Sequence, residues 1–298
     1  MILITRADWD GLVCAVLLGQ AEKIESIYFA HPKDMQDGKV PVPKQSIIAN
    51  LPYHPNCALW FDHHISEEEK VAAIGQFNGR YALSPSAARL VYEYYGGAAK
   101  FPAFRELVDA TDKIDSAQLT LEDVIEPGGW VLLSYTIDPR TGLRDTFQAY
   151  FLRLVELLKT RTRDEILQDP EVRTRCERVI AEDAQFRRAL LINSRQEGNV
   201  VITDFRGLGE VPPGNRFLVY ALYPEANVSV RLFDGRGGKF VVAALGHSIF
   251  NRTCKTNLGE LLAHYGGGGH RGAATVQLPG DQAGPKIAEI IQRLKANG

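Results

Sequence analysis

A chain of 298 residues with 45% hydrophobic and 23% charged side chains can bury a sizeable core, and its length favours two domains. Its 34 basic and 36 acidic residues leave a formal net charge of −2. That balance argues against long duplex nucleic acid or a membrane surface as partner, so any anion site must be built locally. The four cysteines (Cys14, Cys57, Cys176, Cys254) form no Cys-x-x-Cys pair, which excludes a zinc ribbon and a disulfide framework. With neither a secretory signal pattern nor an apolar stretch of membrane-spanning length, a reducing cytoplasm is the expected location.

Met1 to Thr5 reads as a short buried strand, followed by a turn over Asp8–Gly11 and a helix through Leu12–Leu18. Ser26–Phe29, Ser46–Ala49 and Ala58–Phe61 are further short apolar runs bounded by Pro, Asn and Gly, and read as strands. Strand, turn and helix in succession predict a mostly parallel sheet, with ligands beyond the carboxyl ends of its strands. Asp8 and Asp10 follow the first strand, and Asp62 ends another. Ser84-Pro85-Ser86 predicts the cap of a helix that runs to about Tyr95, where Gly96-Gly97 stops it. Phe101–Asp112 reads as helix. Asp145–Lys159 is amphipathic, with Phe147, Tyr150, Phe151, Leu154 and Leu158 on one stripe.

From Pro170 to about Arg195 the chain is highly charged with apolar positions at helical spacing, the pattern of a solvated helical connector. Val200–Ile202, Val228–Phe233 and Phe240–Ala244 are strands, the last two joined by a hairpin turn at Asp234–Gly238. A helix over Leu258–Tyr265, the run Gly266–Gly269 with His270, a strand over Ala274–Leu278 and a helix from Gln282 to Lys295 complete the chain. The fold class is therefore α/β. A mostly parallel-sheet domain at residues 1–168 is joined by a helical linker at 169–197 to a smaller α/β domain at 198–298.

Several motifs carry chemistry. Asp8 and Asp10 place two carboxylates on one turn, although one of them could simply cap the helix. Asp62-His63-His64 at a strand end offers imidazole ligands with a carboxylate behind them to fix the tautomer. Asp109, Asp112 and Asp115 cluster at a helix end, with Asp109 and Asp112 on one face; one of the three could complete an oxygen-rich site, against simple helix-end solvation. Gly266–Gly269 removes every side chain over four residues, so backbone N–H groups can approach an anion closely. Arg231, Arg252 and Arg271 could add charge-assisted hydrogen bonds to that anion.

The order of these motifs resembles the DHH phosphoesterase superfamily, with a C-terminal DHH-associated domain marked by Gly-Gly-Gly-His. The likeness is greatest to the small two-domain group of exopolyphosphatase-related proteins and oligoribonuclease/bisphosphate phosphatases. The resemblance implies a metal-dependent phosphoesterase in which metal-activated water attacks a small phosphorylated substrate. Short single-stranded oligonucleotides, linear dinucleotides, nucleoside bisphosphates and polyphosphate fit that class. Carried over, Asp10, His63 and Asp112 match ligands of one Mn²⁺ (or Mg²⁺), Asp8 matches a ligand of a second, and His64 faces the phosphate. Gly267, Gly268, Gly269 and His270 match the loop over the substrate, and Arg231 resembles its nucleotide- or phosphate-contacting arginine. Members of the group often form homodimers. Two positions depart from the pattern, Arg6 where a histidine is usual and Asn50 where a metal-bridging aspartate is usual. Arg6 is expected to pair with Asp8 and to stand where a metal would, leaving one ion and a catalytic set of Arg6, Asp8, Asp10 and His64. The alternative is a degenerate member that senses a nucleotide or cyclic dinucleotide.

Overall fold

The computed structural model describes residues 1–137 and 145–297. The chain divides into two compact units, Met1–Gln118 with Gly128–Cys176, and Leu119–Pro127 with Glu177–Gly298. The division falls inside the long helix Pro170–Asn193, the segment read from sequence as a charged connector.

The first unit is built on five parallel strands, β1 (Ile2–Thr5), β2 (Ser26–Phe29), β3 (Ser46–Ala49), β4 (Cys57–Asp62) and β5 (Gly79–Tyr81), in the order β2-β1-β3-β4-β5. The chain leaves β1 for β2 on one side and passes to β3 on the other, so the carboxyl end of β1 is the topological switch point where open α/β sheets take their ligands. The helix Trp9–Ala21 starts there. It is apolar all round, with Leu12 to Leu18 each no more than 1% exposed, the signature of a helix enclosed in the core. Gly11 permits this entry, because a Cβ at that position would lie 2.0 Å from the Arg6 carbonyl oxygen. The expected amphipathic stripe of Phe147, Tyr150, Phe151, Leu154 and Leu158 is buried in the same core, on the helix Asp145–Thr160.

The second unit carries a six-stranded sheet of β6 (Ser194–Glu197), β7 (Val200–Asp204), β8 (Val228–Asp234), β9 (Phe240–His247), β10 (Gly268–His270) and β11 (Ala273–Pro279), ordered β10-β11-β9-β8-β7-β6. Only β7 and β8 are parallel. The predicted hairpin joins β8 to β9 in antiparallel register. The helices Leu258–Ala263 and Gly280–Ala296 pack their apolar positions into the core of this sheet.

The glycine run differs from the bare loop expected. Gly268–His270 pair with Ala273–Thr275 as an edge strand. The missing side chains are what allow it: a Cβ at Gly267 would lie 2.6 Å from the Thr275 carbonyl oxygen, and one at Gly269 2.4 Å from that of Ala273. Gly266 takes φ 80°, which favours glycine. At Gly268 alone of the four, a Cβ would meet no neighbour within 4 Å and φ is not positive. Among the described residues no helix is long and apolar enough to cross a membrane. All four cysteines are free thiols.

Candidate active site

The carboxyl ends of β1, β3 and β4 deliver the polar residues of the first unit. Asp8 is the N-cap of the helix Trp9–Ala21, and its carboxylate accepts from the Gly11 N–H at 2.9 Å. Capping is thus one of its tasks, and the turn expected at Asp8–Gly11 is helix from Trp9 onward. Asp10 sits in the first turn and is fully enclosed. Its two oxygens accept from the Ala87 N–H at 2.9 Å and the Ala88 N–H at 2.8 Å, the first amides of the helix Ala87–Tyr94. Two helix N-termini therefore converge on one carboxylate, which favours its negative charge. Burial pulls the other way, lifting Asp10 above the ordinary carboxylate range. The Asp8 charge adds to that lift and the neighbouring His63 opposes it.

Asp62 ends β4 and is buried. Its Oδ1 accepts from the His63 backbone N–H at 2.9 Å and lies 2.7 Å from His64 Nδ1. A carboxylate partner places the proton on His64 Nδ1, leaving Nε2 of this half-exposed ring as the basic nitrogen. His63 is oriented differently. Its Nδ1 donates to the Ser84 carbonyl at 2.9 Å, so Nε2 carries the lone pair. That Nε2 is buried and has no hydrogen-bond partner. It faces carboxylate oxygens of Asp10 at 3.6 Å and Asp115 at 3.4 Å.

A lone pair aimed at two carboxylates is repulsive, and either a proton on Nε2 or a cation among the three groups relieves it. Asp10, His63 and Asp115 offer ligand atoms that all lie within 4.8 Å of one another. Asp115 is in the last turn of the helix Arg105–Asp115, where the helix dipole disfavours a negative charge. Its carboxyl is held well above the usual range by desolvation and by the charges of Asp10 and Asp8. One imidazole and two carboxylates form a donor set suited to Mn²⁺ or Mg²⁺. The residues present fit a divalent cation.

Asp112, the third ligand implied by the resemblance, does not join this cluster. Its Oδ1 accepts from Ser86 Oγ at 2.6 Å and its Oδ2 from Arg89 Nε at 2.7 Å. Arg89 also binds Asp109. No sequence signal pointed to this competitor, since Arg89 lies on another helix. Arg6 and Asn50 both turn to Asp8. Arg6 Nε lies 2.9 Å from Asp8 Oδ2, and Asn50 Nδ2 donates to Asp8 Oδ1 at 2.9 Å. Asn50 is buried with φ 58°, a left-handed conformation that asparagine tolerates better than most residues.

In the second unit, Arg231 lies on β8 opposite Ala244 of β9, and His270 ends the edge strand β10 in the open. Arg252 Nε donates to the Ile249 carbonyl at 2.9 Å, and Arg271 Nη2 reaches the Lys255 carbonyl at 3.4 Å. Gly267 and Gly269 are required by packing, which leaves Gly268 as the position whose glycine the protein itself does not explain.

No family model and no curated protein matches the chain. Solved structures do. The pGpG-specific phosphodiesterase PggH from Vibrio cholerae is 41% identical, with 100% of this chain and 99% of that chain covered at a TM-score of 0.89. A DHH domain from a protein described as a member of a family of ribosomal proteins is 14% identical at a TM-score of 0.65, covering 99% of this chain and 86% of its own. RecJ from Thermus thermophilus, solved with Mn²⁺, is 12% identical at a TM-score of 0.51, covering 99% of this chain and 52% of its own. The last two share the fold. The first shares two residues in five from end to end, and with the cation-ready cluster below the switch point it establishes that the chain belongs to the DHH family of metal-dependent phosphoesterases, which are hydrolases.

Proposed function

We propose that the chain hydrolyses the phosphodiester of a linear dinucleotide of the pGpG kind. The observation that carries this reading is the buried, unpartnered His63 Nε2 facing Asp10 and Asp115. The full-length similarity to a pGpG-specific phosphodiesterase supports the substrate class. The net charge of −2 also suits a short ligand held in a local pocket.

Asp10, His63 and Asp115 would hold a divalent cation, Mn²⁺ in this reading. Such a cation supplies Lewis acidity toward a phosphoryl oxygen and lowers the pKa of water. The protein's own groups do the remaining work. Asp62 holds the His64 ring and its tautomer, so Nε2 is placed to accept a proton or a hydrogen bond at the scissile phosphate. Arg6, held by Asp8, presents permanent positive charge where phosphoryl oxygens gain charge. Residues 1–168 would carry this hydrolytic chemistry, 169–197 the connector, and 198–298 the groups that anchor the rest of the substrate. Arg231, Arg252, Gly268, His270 and Arg271 are the anchors we assign. A cytoplasmic location and pairing into a homodimer belong to the same reading.

The test is turnover of pGpG, pApA, an adenosine bisphosphate and a short polyphosphate with Mn²⁺, with Asp10→Ala as control. Hydrolysis of pGpG that disappears in the variant is expected. Tight pGpG binding without turnover of any of the four would overturn the reading in favour of a sensor.

A further inference from the structure

The polar atoms around Asp8 bear on how many cations the site can take. A carboxylate oxygen ligates a metal through a lone pair directed at the ion, and both oxygens of Asp8 are already engaged. Oδ1 accepts two N–H bonds, from Gly11 and from the Asn50 side chain, each 2.9 Å. Oδ2 faces the Arg6 guanidinium at 2.9 Å. A guanidinium stays protonated throughout the working pH range and has no lone pair to give. Asn50 turns its NH₂ group, not its oxygen, toward the carboxylate.

Resting on the phosphoesterase reading above, we infer that this centre is mononuclear, and that Arg6, clamped by Asp8 and Asn50, is its second cation. Asp8 is then a positioning residue for Arg6 and not a metal ligand. The only polar partner of Arg6 among the described residues is Asp8, and 37% of its side chain is open to solvent. Its terminal amino groups are therefore available to two oxygens of one phosphate, which is the geometry a planar guanidinium serves best. The ligand class of this half of the site is an anionic phosphoryl group, not a metal ion.

The experiment uses the full chain, stripped with chelator and dialysed against graded Mn²⁺. Bound manganese per chain is measured by elemental analysis, and the electron paramagnetic resonance spectrum is recorded at saturation. The expected result is one ion per chain with the six-line spectrum of an isolated Mn²⁺, and loss of that ion in Asp115→Asn. In the double variant Arg6→Ala/Asn50→Asp, binding should rise from one ion to two, with the broadened spectrum of a coupled pair. Two ions in the wild-type chain would overturn the mononuclear centre and leave the phosphoesterase reading intact. No ion at all would overturn the metal site itself. A correctly folded double variant that still binds one ion would overturn the role given to Arg6 and Asn50. The wild-type stoichiometry decides the main point even if the double variant does not fold.

Discussion

Replacing Asp115 with asparagine should have opposite effects on the protein with and without metal. Asp10 and Asp115 offer oxygens within 4.8 Å of each other. At an effective dielectric constant of about 20, two unit charges at that distance repel by roughly 3.5 kcal/mol. Asp115 is a third open to water, so screening reduces this to about 1 kcal/mol. Without metal, Asp115→Asn removes that repulsion, and Tm should rise by about 2–4 °C. With Mn²⁺ at a hundredfold excess over Kd, the wild-type chain should gain about 2.7 kcal/mol, and the variant close to none.

The pH dependence follows with its sign. Both carboxyls are raised in the folded state, so folding takes up protons there. Stability in chelator is therefore fullest below the ordinary carboxylate pKa and is lost as pH rises through the raised values, more steeply in wild type than in Asp115→Asn. Thermal scans in chelator and in Mn²⁺, from pH 4 to 8, read all of this. A variant less stable than wild type in chelator that keeps the full Mn²⁺ shift would refute the cluster. The matching control is Asp112→Asn, which breaks the Arg89 and Ser86 bonds. It should cost about 1–3 kcal/mol and leave the Mn²⁺ shift in place.

Asp62→Ala should lower kcat by about 10²-fold or more, because His64 loses the acceptor that fixes its tautomer. A double variant with His64→Ala should be no worse than His64→Ala alone, and additive losses would separate the two residues. Gly267→Ala and Gly269→Ala should lower Tm, since each Cβ meets a backbone carbonyl at 2.6 or 2.4 Å. Gly268→Ala should leave Tm unchanged and raise KM for pGpG, and an unchanged KM would remove the anion role of this strand. Ser86→Ala removes a helix cap and the bond to Asp112, and should cost about 1–2 kcal/mol in a denaturant melt.

Much of the first unit was legible because its signals are local. Short β-rich runs bounded by Pro, Asn and Gly mark β1 to β4, and Ser86 caps its helix as its position before Ala87 predicts. The pairing of Arg6 with Asp8 was also foreseeable, since two residues separate a strand end from a helix cap and opposite charges must meet there. Legibility failed where a neighbour distant in sequence decides the outcome. The edge strand inside Gly266–His270 exists because β11 lies beside it and its glycines fit against that backbone. Composition alone reports only that four side chains are missing.

The choice between Asp112 and Asp115 shows the same limit at the site itself. The two are three residues apart, so a helix puts them on one face; the family resemblance singles out Asp112, and spacing by itself ranks neither above the other. Position along the helix separates them. Asp112 lies one turn earlier, within reach of Arg89 and of Ser86 at the start of the helix Ala87–Tyr94. That same helix start gives Ala87 and Ala88 amides to Asp10, so one short element fixes both the inner carboxylate and the outer one. With Asp112 neutralised by Arg89, the carboxylate left facing His63 without a cationic partner is Asp115, and a cation is attracted to the charge that the protein leaves uncompensated. In the proposed site, Arg89 thus leaves Asp115 and not Asp112 as the carboxylate offered to a cation. Arg89→Met should therefore weaken Mn²⁺ discrimination by freeing Asp112 as a competing acidic group, which a comparison of Mn²⁺ affinity in Arg89→Met and Arg89→Met/Asp112→Asn would reveal.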